Sequence, residues 1–448
     1  GDGMEAVIQP LNDDWMIGSW QYGTRQRTKD GGLTRHGINT PECGSSEADW
    51  QAPLLLNPNH QMKVYHFSSN VFVADEFGDN WKQLGSPNIG KIKVATIAEN
   101  NSDLMIVCRN ENLYLSQDEG YTFDSIHYGL PGHSIRDVAF DPNNDSTLVV
   151  VYNRYQNDNQ KVYISHDLGS TWNNITYNLG DMPLRSVVID HTDSSNIYLG
   201  AEIGVFYKAM NDNSWNLYNS NLPNVTVRDL EIHYGTNVLR AATWGRGLWD
   251  YKLVGRHDYP SILTTEITDR PTDKLPKEGM DQYVTSVISY DGTLSSVYVN
   301  WSAHTPLFDS TLSMTNIQDS TWKTEHPIPS YPAGTKMYFK VYAVGNSGDT
   351  TETYKFMYTV REQIYCNSYG SMAYNTAITL VDFMDINRTS GKTQPYSDYS
   401  ETDSTILDIN NSYDLSVNLS TGGNQQVFAV AWIDWNKDGD FFDPGEEY

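Results

Sequence analysis

Cysteine is scarce in this chain: Cys43, Cys108 and Cys366 lie far apart among 448 residues, with no CxxC spacing. That leaves neither a zinc site nor a dense disulfide framework to expect, and buried or free thiols are the default. Long apolar runs are missing as well. The best one, Gln426 to Ile433, has the length of a strand, far short of the ~18 to 20 apolar residues a membrane helix needs, so no membrane insertion is expected. Positive charge is thin: 30 Lys and Arg face 56 Asp and Glu, for a net charge of −26. Such a field repels phosphate backbones and anionic headgroups, which argues against a nucleic-acid partner. No stretch shows a convincing helical period. HExxH and GxSxG are absent, and the histidines fall singly, so zincin and serine-hydrolase centres are not expected in these residues.

What the sequence does have is aromatic residues, turns and a repeat. The octets Ser116-Gln117-Asp118-Glu119-Gly120-Tyr121-Thr122-Phe123 and Ser165-His166-Asp167-Leu168-Gly169-Ser170-Thr171-Trp172 share Ser-x-Asp-x-Gly-x-Thr-aromatic. Weaker copies sit at Asp30 and Glu76, and Trp215 marks a fifth with only its aromatic left. The copies are spaced by roughly 40 to 50 residues, the length of a four-stranded propeller blade. Short alternating or apolar strands separated by Gly, Asn, Asp and Pro fill each unit. Within the octet, Asp can accept N–H bonds from its own turn, Gly supplies a positive φ, and Ser or Thr closes the loop. Asp30, Glu76, Ser116, Asp118, Gly120, Thr122, Ser165, Asp167, Gly169 and Thr171 therefore read as staples of the fold. A repeated set cannot be a single catalytic site, and no catalytic residue is assigned.

These residues resemble the Asp-box, or BNR-type, propellers shared by sialidases, sortilin-like proteins and some glycoside hydrolases. The resemblance implies an all-β chain with a propeller over residues 1–253, about five visible blades, and further blades upstream of Gly1. After Leu253 the repeats stop. Strand pairs such as Val284 to Tyr290 and Ser296 to Trp301, with Lys336 to Val344 and Tyr354 to Val360, read as an immunoglobulin-like or fibronectin-like sandwich over 254–361. Residues 362–448 contain Trp432-Ile433-Asp434-Trp435-Asn436-Lys437-Asp438-Gly439-Asp440, in which Asp434, Asn436 and Asp438 take positions 1, 3 and 5 of a calcium loop and Gly439 the sharp turn. Position 12 is Gly445, so Asp443 or Glu446 would have to complete the set, with Asp440 beside them. Calcium is the cofactor to expect, against a cation-free acidic turn. This segment resembles the GEVED domain of secreted Bacteroidetes proteins, cut short at Tyr448. The combination implies type IX secretion cargo, secreted or cell-surface, engaging that machinery through a segment outside this chain.

Function follows less directly. Trp20, Tyr22, Trp50, Tyr155 and Trp244, with Arg246, are flanked by polar residues and could stack on and hydrogen-bond a sugar. The structural alternative is that these aromatics wedge between blades. The expected role is a binding platform for a glycan or a surface protein. Sialidase resemblance implies instead an arginine cluster for a carboxylate, a Tyr assisted by a Glu, and an Asp acid; Arg25, Arg27, Arg109, Arg136, Arg185, Arg240 and Arg246 are the arginine candidates. A two-carboxylate glycoside hydrolase in the propeller mouth, and a non-catalytic part of a secreted metalloprotease, also stay open, so whether the chain is an enzyme is undecided.

Overall fold

The computed structural model describes the chain except for residues 1–2, 41, 193–194, 269–275, 363–369, 401, 409–410, 424–425, 436–440 and 442–444. It forms two units, Gly1–Arg361 and Glu362–Tyr448. Every regular element longer than a single 3-10 turn is a strand, and no helix among the described residues is long and apolar enough to cross a membrane.

Six antiparallel sheets follow one another in the first unit, each a meander in which consecutive strands pair. Their first strands are Ala6–Gln9, Leu54–Asn57, Val94–Ile97, Ile135–Asp141, Leu184–Ile189 and Val227–His233. Neighbouring first strands touch from the first sheet to the sixth, which ranks them around a common axis. Five apolar clusters fill the gaps between successive sheets, for example Val149, Val151, Ile164, Val187, Leu199 and Trp215 between the fourth and fifth. This is a propeller, and in four of its sheets the outermost strand is only two residues long. The sheet count corrects the expectation of about five. Five sheets have four strands, and the sixth, Val227–His233, Val238–Thr243 and Leu248–Lys252, has three and carries no octet to announce it.

The acidic turns show why the octet is so regular. Ser165 Oγ donates to Asp167 Oδ1 (2.7 Å) and accepts the Gly169 N–H (2.8 Å), while Asp167 accepts the Thr171 N–H (2.8 Å) and hydroxyl (2.7 Å). Ser116, Asp118, Gly120 and Thr122 repeat these four bonds within 2.7–2.8 Å, and Thr28, Asp30, Gly32 and Thr34 repeat them within 2.5–2.9 Å with Thr for Ser. Gly169 and Gly120 sit at φ 84° and 94°, where a side chain would strain the turn. Trp172 and Trp215 send Nε1–H to the carbonyls of Ile126 and Ile175, each 2.8 Å, and so lock one sheet to the one before. Glu76 departs from the set. Ala74 stands where the serine would be, and the Glu76 carboxylate reaches Arg361 at 2.8 Å instead.

Because Ser165 is fully buried, Ser165→Ala leaves the Gly169 N–H without an acceptor and is expected to cost about 1–3 kcal/mol. Glu76→Ala breaks only an exposed ion pair and should cost about 0–1 kcal/mol. Urea denaturation of the two variants checks the difference, and equal losses would deny the turn its stapling role.

The propeller continues without a gap into eight strands, Ser261–Thr268 through Phe356–Thr359, folded around one core that includes Val284, Trp301, Phe339, Val341 and Phe356. Ser310–Gln318 pairs along its first half with Leu294–Ala303 and along its second with Thr321–Thr324, so it passes from one layer of the sandwich to the other. Leu11 of the propeller belongs to the sandwich core. The boundary expected at 253/254 is therefore a packed seam inside one unit. In the second unit, Ala377–Phe383 is flanked by Ile386–Thr389 and Ser416–Ser420.

Candidate functional site

Which end of the propeller axis can take a ligand is decided by the sandwich. Segment Thr350–Tyr358 lies across the end where the first strands finish. Gln61, only 2% exposed, bridges the seam: its amide donates to the Lys355 carbonyl (2.8 Å) and its carbonyl accepts the Met357 N–H (3.1 Å). Asn237 donates to Thr351 Oγ1 at 2.8 Å, which in turn donates to the Pro260 carbonyl. Nearby Tyr234 donates to Glu99 at 2.5 Å and stacks on His191 with ring centroids 3.8 Å apart. Burial pushes the Glu99 carboxyl up and holds the His191 ring down at about 3, so the ring is neutral.

The opposite end is open. A cavity of about 490 Å³ is lined by residues at or just before the first strands of all six sheets, among them Glu5, Pro53, Lys93, Arg136, Arg185 and Arg228. Three of these arginines share a geometric cause. In the fourth, fifth and sixth sheets the register between first and second strands shifts by one residue, between Ile135 and Asp137, Leu184 and Ser186, and Val227 and Asp229. The residue left over each time is the arginine. A bulge at this point takes a side chain out of the ladder and re-aims it, here toward the axis. Asp137 holds its bulge by accepting the Val138 N–H (2.9 Å) and the Val187 N–H of the next sheet (2.9 Å), and Asp229 accepts the Leu230 N–H (3.0 Å). Burial pushes the Asp137 carboxyl up to about 7, and it raises Asp229 and Glu5 as well.

Loops around this mouth carry the aromatic residues singled out from the sequence. Trp20, Tyr22, Trp50, Tyr155 and Trp244 are all exposed. Tyr22 adopts φ 58°, unusual for a bulky residue. It is held there by its N–H to the Trp50 carbonyl (3.1 Å) and by its carbonyl, which accepts from Gly44 (2.7 Å); the two rings meet edge to face at 5.3 Å. Trp244 lies under the Arg228 guanidinium, 5.0 Å from ring to charge. The Tyr155 hydroxyl bonds Glu202, which raises the phenol, while Arg185 donates through Nε and Nη2 to one oxygen of the same carboxylate and lowers it. Arg246 presents its carbonyl to Trp249 Nε1 at 2.9 Å.

The other arginine candidates are engaged elsewhere. Buried Arg25 donates to the Pro53 carbonyl (3.0 Å), Arg27 pairs with Asp79 (2.8 Å), Arg109 donates to the Ile89 carbonyl (2.7 Å), and Arg240 pairs with Asp250 (2.7 Å). Arg136, Arg185 and Arg246 remain; the first two line the cavity, joined there by Arg228, which reading by residue type overlooked. Its signal was the repeated tetrapeptide Ile135-Arg136-Asp137-Val138, Leu184-Arg185-Ser186-Val187 and Val227-Arg228-Asp229-Leu230.

Of the residues expected to hold calcium, Asn436, Asp438, Asp440 and Asp443 lie outside the described residues. Glu446 is buried and accepts the Trp435 N–H at 3.0 Å through one oxygen, while its other oxygen has no hydrogen-bond partner among the described residues. Asp434 is also described. Among the described residues no group of three or more His, Cys, Asp or Glu is placed to hold a metal ion.

The Sortilin-Vps10 family, described as sortilin, neurotensin receptor 3, matches residues 69–201, which span parts of the second to fifth sheets. No curated protein matches the chain. Among solved structures, YCF48 from Cyanidioschyzon merolae is similar at 11% identity and TM-score 0.41, over 63% of this chain and 92% of that one. A GH74 enzyme from Niastella koreensis is similar at 12% identity and TM-score 0.41, over 88% and 72%. The extracellular domain of BT3049 from B. thetaiotaomicron is similar at 10% identity and TM-score 0.42, over 81% of this chain and 50% of that one.

Proposed function

We propose that this chain is a secreted or cell-surface binding module whose propeller captures a glycan or the glycan of a surface protein at its open mouth. One observation carries the reading: the sandwich covers one end of the axis, while the loops at the other end display Trp20, Tyr22, Trp50, Tyr155 and Trp244 around a cavity of about 490 Å³. Exposed indole and phenol faces suit sugar rings, and polar neighbours suit their hydroxyls.

The bonded pair Tyr155 and Glu202, with Arg185 on the same carboxylate, favours a second reading as a glycoside hydrolase of sialidase-like type. One experiment separates the two. In calorimetry against a panel of oligosaccharides, Trp50→Ala and Trp244→Ala are each expected to weaken binding roughly tenfold, as for a stacking residue worth more than about 1 kcal/mol. The same mixtures are followed for reducing-end release. Retention without turnover supports binding, and turnover abolished by Tyr155→Phe or Glu202→Gln supports hydrolysis. Retention unchanged in both tryptophan variants would move the site away from this mouth.

A further inference from the structure

We infer that Cys43 is a covalent modification site, a nucleophilic thiol that exchanges with low-molecular-weight disulfides and takes up one half of each as a mixed disulfide. Thr40 turns two groups to Cys43 Sγ, its N–H and its hydroxyl, each at 3.3 Å. His66 Nε2 lies 3.8 Å from the same sulfur. The other ring nitrogen, Nδ1, faces Arg25 Nη2, and guanidinium nitrogens only donate, so Nδ1 is the acceptor. A neutral ring then carries its proton on Nε2, aimed at Cys43. Burial, and after it the Arg25 charge, holds His66 well below its ordinary value and so keeps the ring neutral. Gly23 leaves the ring its place: it sits at φ 71°, and a Cβ there would stand 2.5 Å from His66 Cε1.

Behind the ring stands an unbalanced charge. Arg25 is fully buried, and its Nε and Nη1 have no hydrogen-bond partner among the described residues. Nη2 alone is engaged, with His66 and the carbonyls of Ala52 (3.4 Å) and Pro53 (3.0 Å), and no carboxylate among the described residues pairs with the guanidinium. A buried cation without a counter-ion is costly, and a neighbouring anion relieves it. Burial holds the guanidinium down to about 10, and the charge of Cys43, ahead of that of Glu5, opposes it. Cys108 shows the contrast. It is fully buried, its Sγ–H donates to the Asn110 carbonyl at 3.6 Å, and burial pushes the thiol up. Cys43 is partly exposed and faces donors. The thiolate is the attacking form in exchange, so an accessible sulfur among donors and beside a buried cation favours it. In that step the Cys43 proton goes to solvent and a bond forms between Cys43 Sγ and one sulfur of the incoming disulfide. The incoming S–S bond breaks, and its second sulfur leaves with the electron pair as a thiolate. Cys43 lies in a tight turn, its N–H bonded to the Thr40 carbonyl at 3.1 Å, which admits a small disulfide rather than a protein surface.

The test incubates the whole folded chain with glutathione disulfide near neutral pH and locates mixed disulfides by peptide mass mapping over time. The same reaction on the chain unfolded in urea gives the reference rate, with every cysteine open to the reagent. Cys43 is expected to react about tenfold faster in the folded chain than in the unfolded one, although less of it is exposed, while Cys108 stays unmodified until unfolding. Thr40→Val keeps the side chain's size and removes the hydroxyl; it should slow Cys43 several-fold with the thermal midpoint close to the parent's, and Thr40→Ser should restore the rate. A Cys43 rate in the folded chain equal to or below the unfolded rate would overturn the inference, because partial burial alone gives that result. Parental reactivity in Thr40→Val would overturn the part given to the donors around the sulfur. Chains linked to one another through Cys43, in place of the mixed disulfide, would overturn the assignment to small disulfides.

Discussion

Replacing Gln61 with leucine is expected to destabilise the first unit by about 2–6 kcal/mol, the cost of leaving two buried backbone groups unpaired at about 1–3 kcal/mol each. Those groups are the Lys355 carbonyl and the Met357 N–H, and Gln61 satisfies both from a strand of the second propeller sheet. The side chain is too buried for water to take its place, and leucine offers neither a donor nor an acceptor. Because the bonds join two folded layers, the effect should be cooperative: loosening the seam exposes sandwich residues and the propeller end at once. Urea denaturation gives the loss, and limited proteolysis should cut within 254–361 in the variant before the parent. An unchanged midpoint would show that the seam does not stabilise either layer.

His191→Phe should make the protein relatively more stable in acid, by an amount that grows as pH falls. His191 is neutral in the fold, held at about 3 against an ordinary 6.5, first by burial and then by the charges of Lys340 and Arg256. The unfolded chain therefore binds a proton that the folded chain refuses. Stability is complete above pH 6.5 and is lost as pH drops toward 3. At about 1.4 kcal/mol per unit, the loss from this residue reaches roughly 3 kcal/mol at pH 4. Phenylalanine keeps the ring stacked on Tyr234 and removes a buried Nδ1 that has no partner. His60, held at about 4, pulls the parent's profile the same way, and Asp137, raised to about 7, pulls it the other way. The difference between variant and parent cancels both. Thermal midpoints from pH 8 to pH 4 check it, and a difference that stays constant across that range would mean that His191 takes up its proton in the fold as readily as in the unfolded chain.

The acidic turns were legible in the sequence because the side-chain bonds that hold them lie within seven residues, among Ser165, Asp167, Gly169 and Thr171. The sixth sheet escaped the count because it has no such turn, only strand patterns that any β protein could show. Aromatic residues at the rim were also found, since exposed Trp and Tyr beside polar residues are unusual wherever they fall. Arg136, Arg185 and Arg228 were hidden by a property that composition does not carry. Their direction depends on a one-residue register shift against a partner strand, so an arginine list mixed them with loop-tying residues such as Arg27 and Arg109. Gln61 was harder still. Its partners lie almost three hundred residues further along, and Tyr354 to Val360 reads as an ordinary sandwich strand until the propeller end is placed against it.

That seam also sets the traffic of the propeller. With Thr350–Tyr358 laid over one end, the six sheets form a cup rather than a pipe. A long polymer cannot be threaded through it. On the binding reading proposed above, whatever enters past the rim must back out the same way, which suits chain ends and protruding side groups.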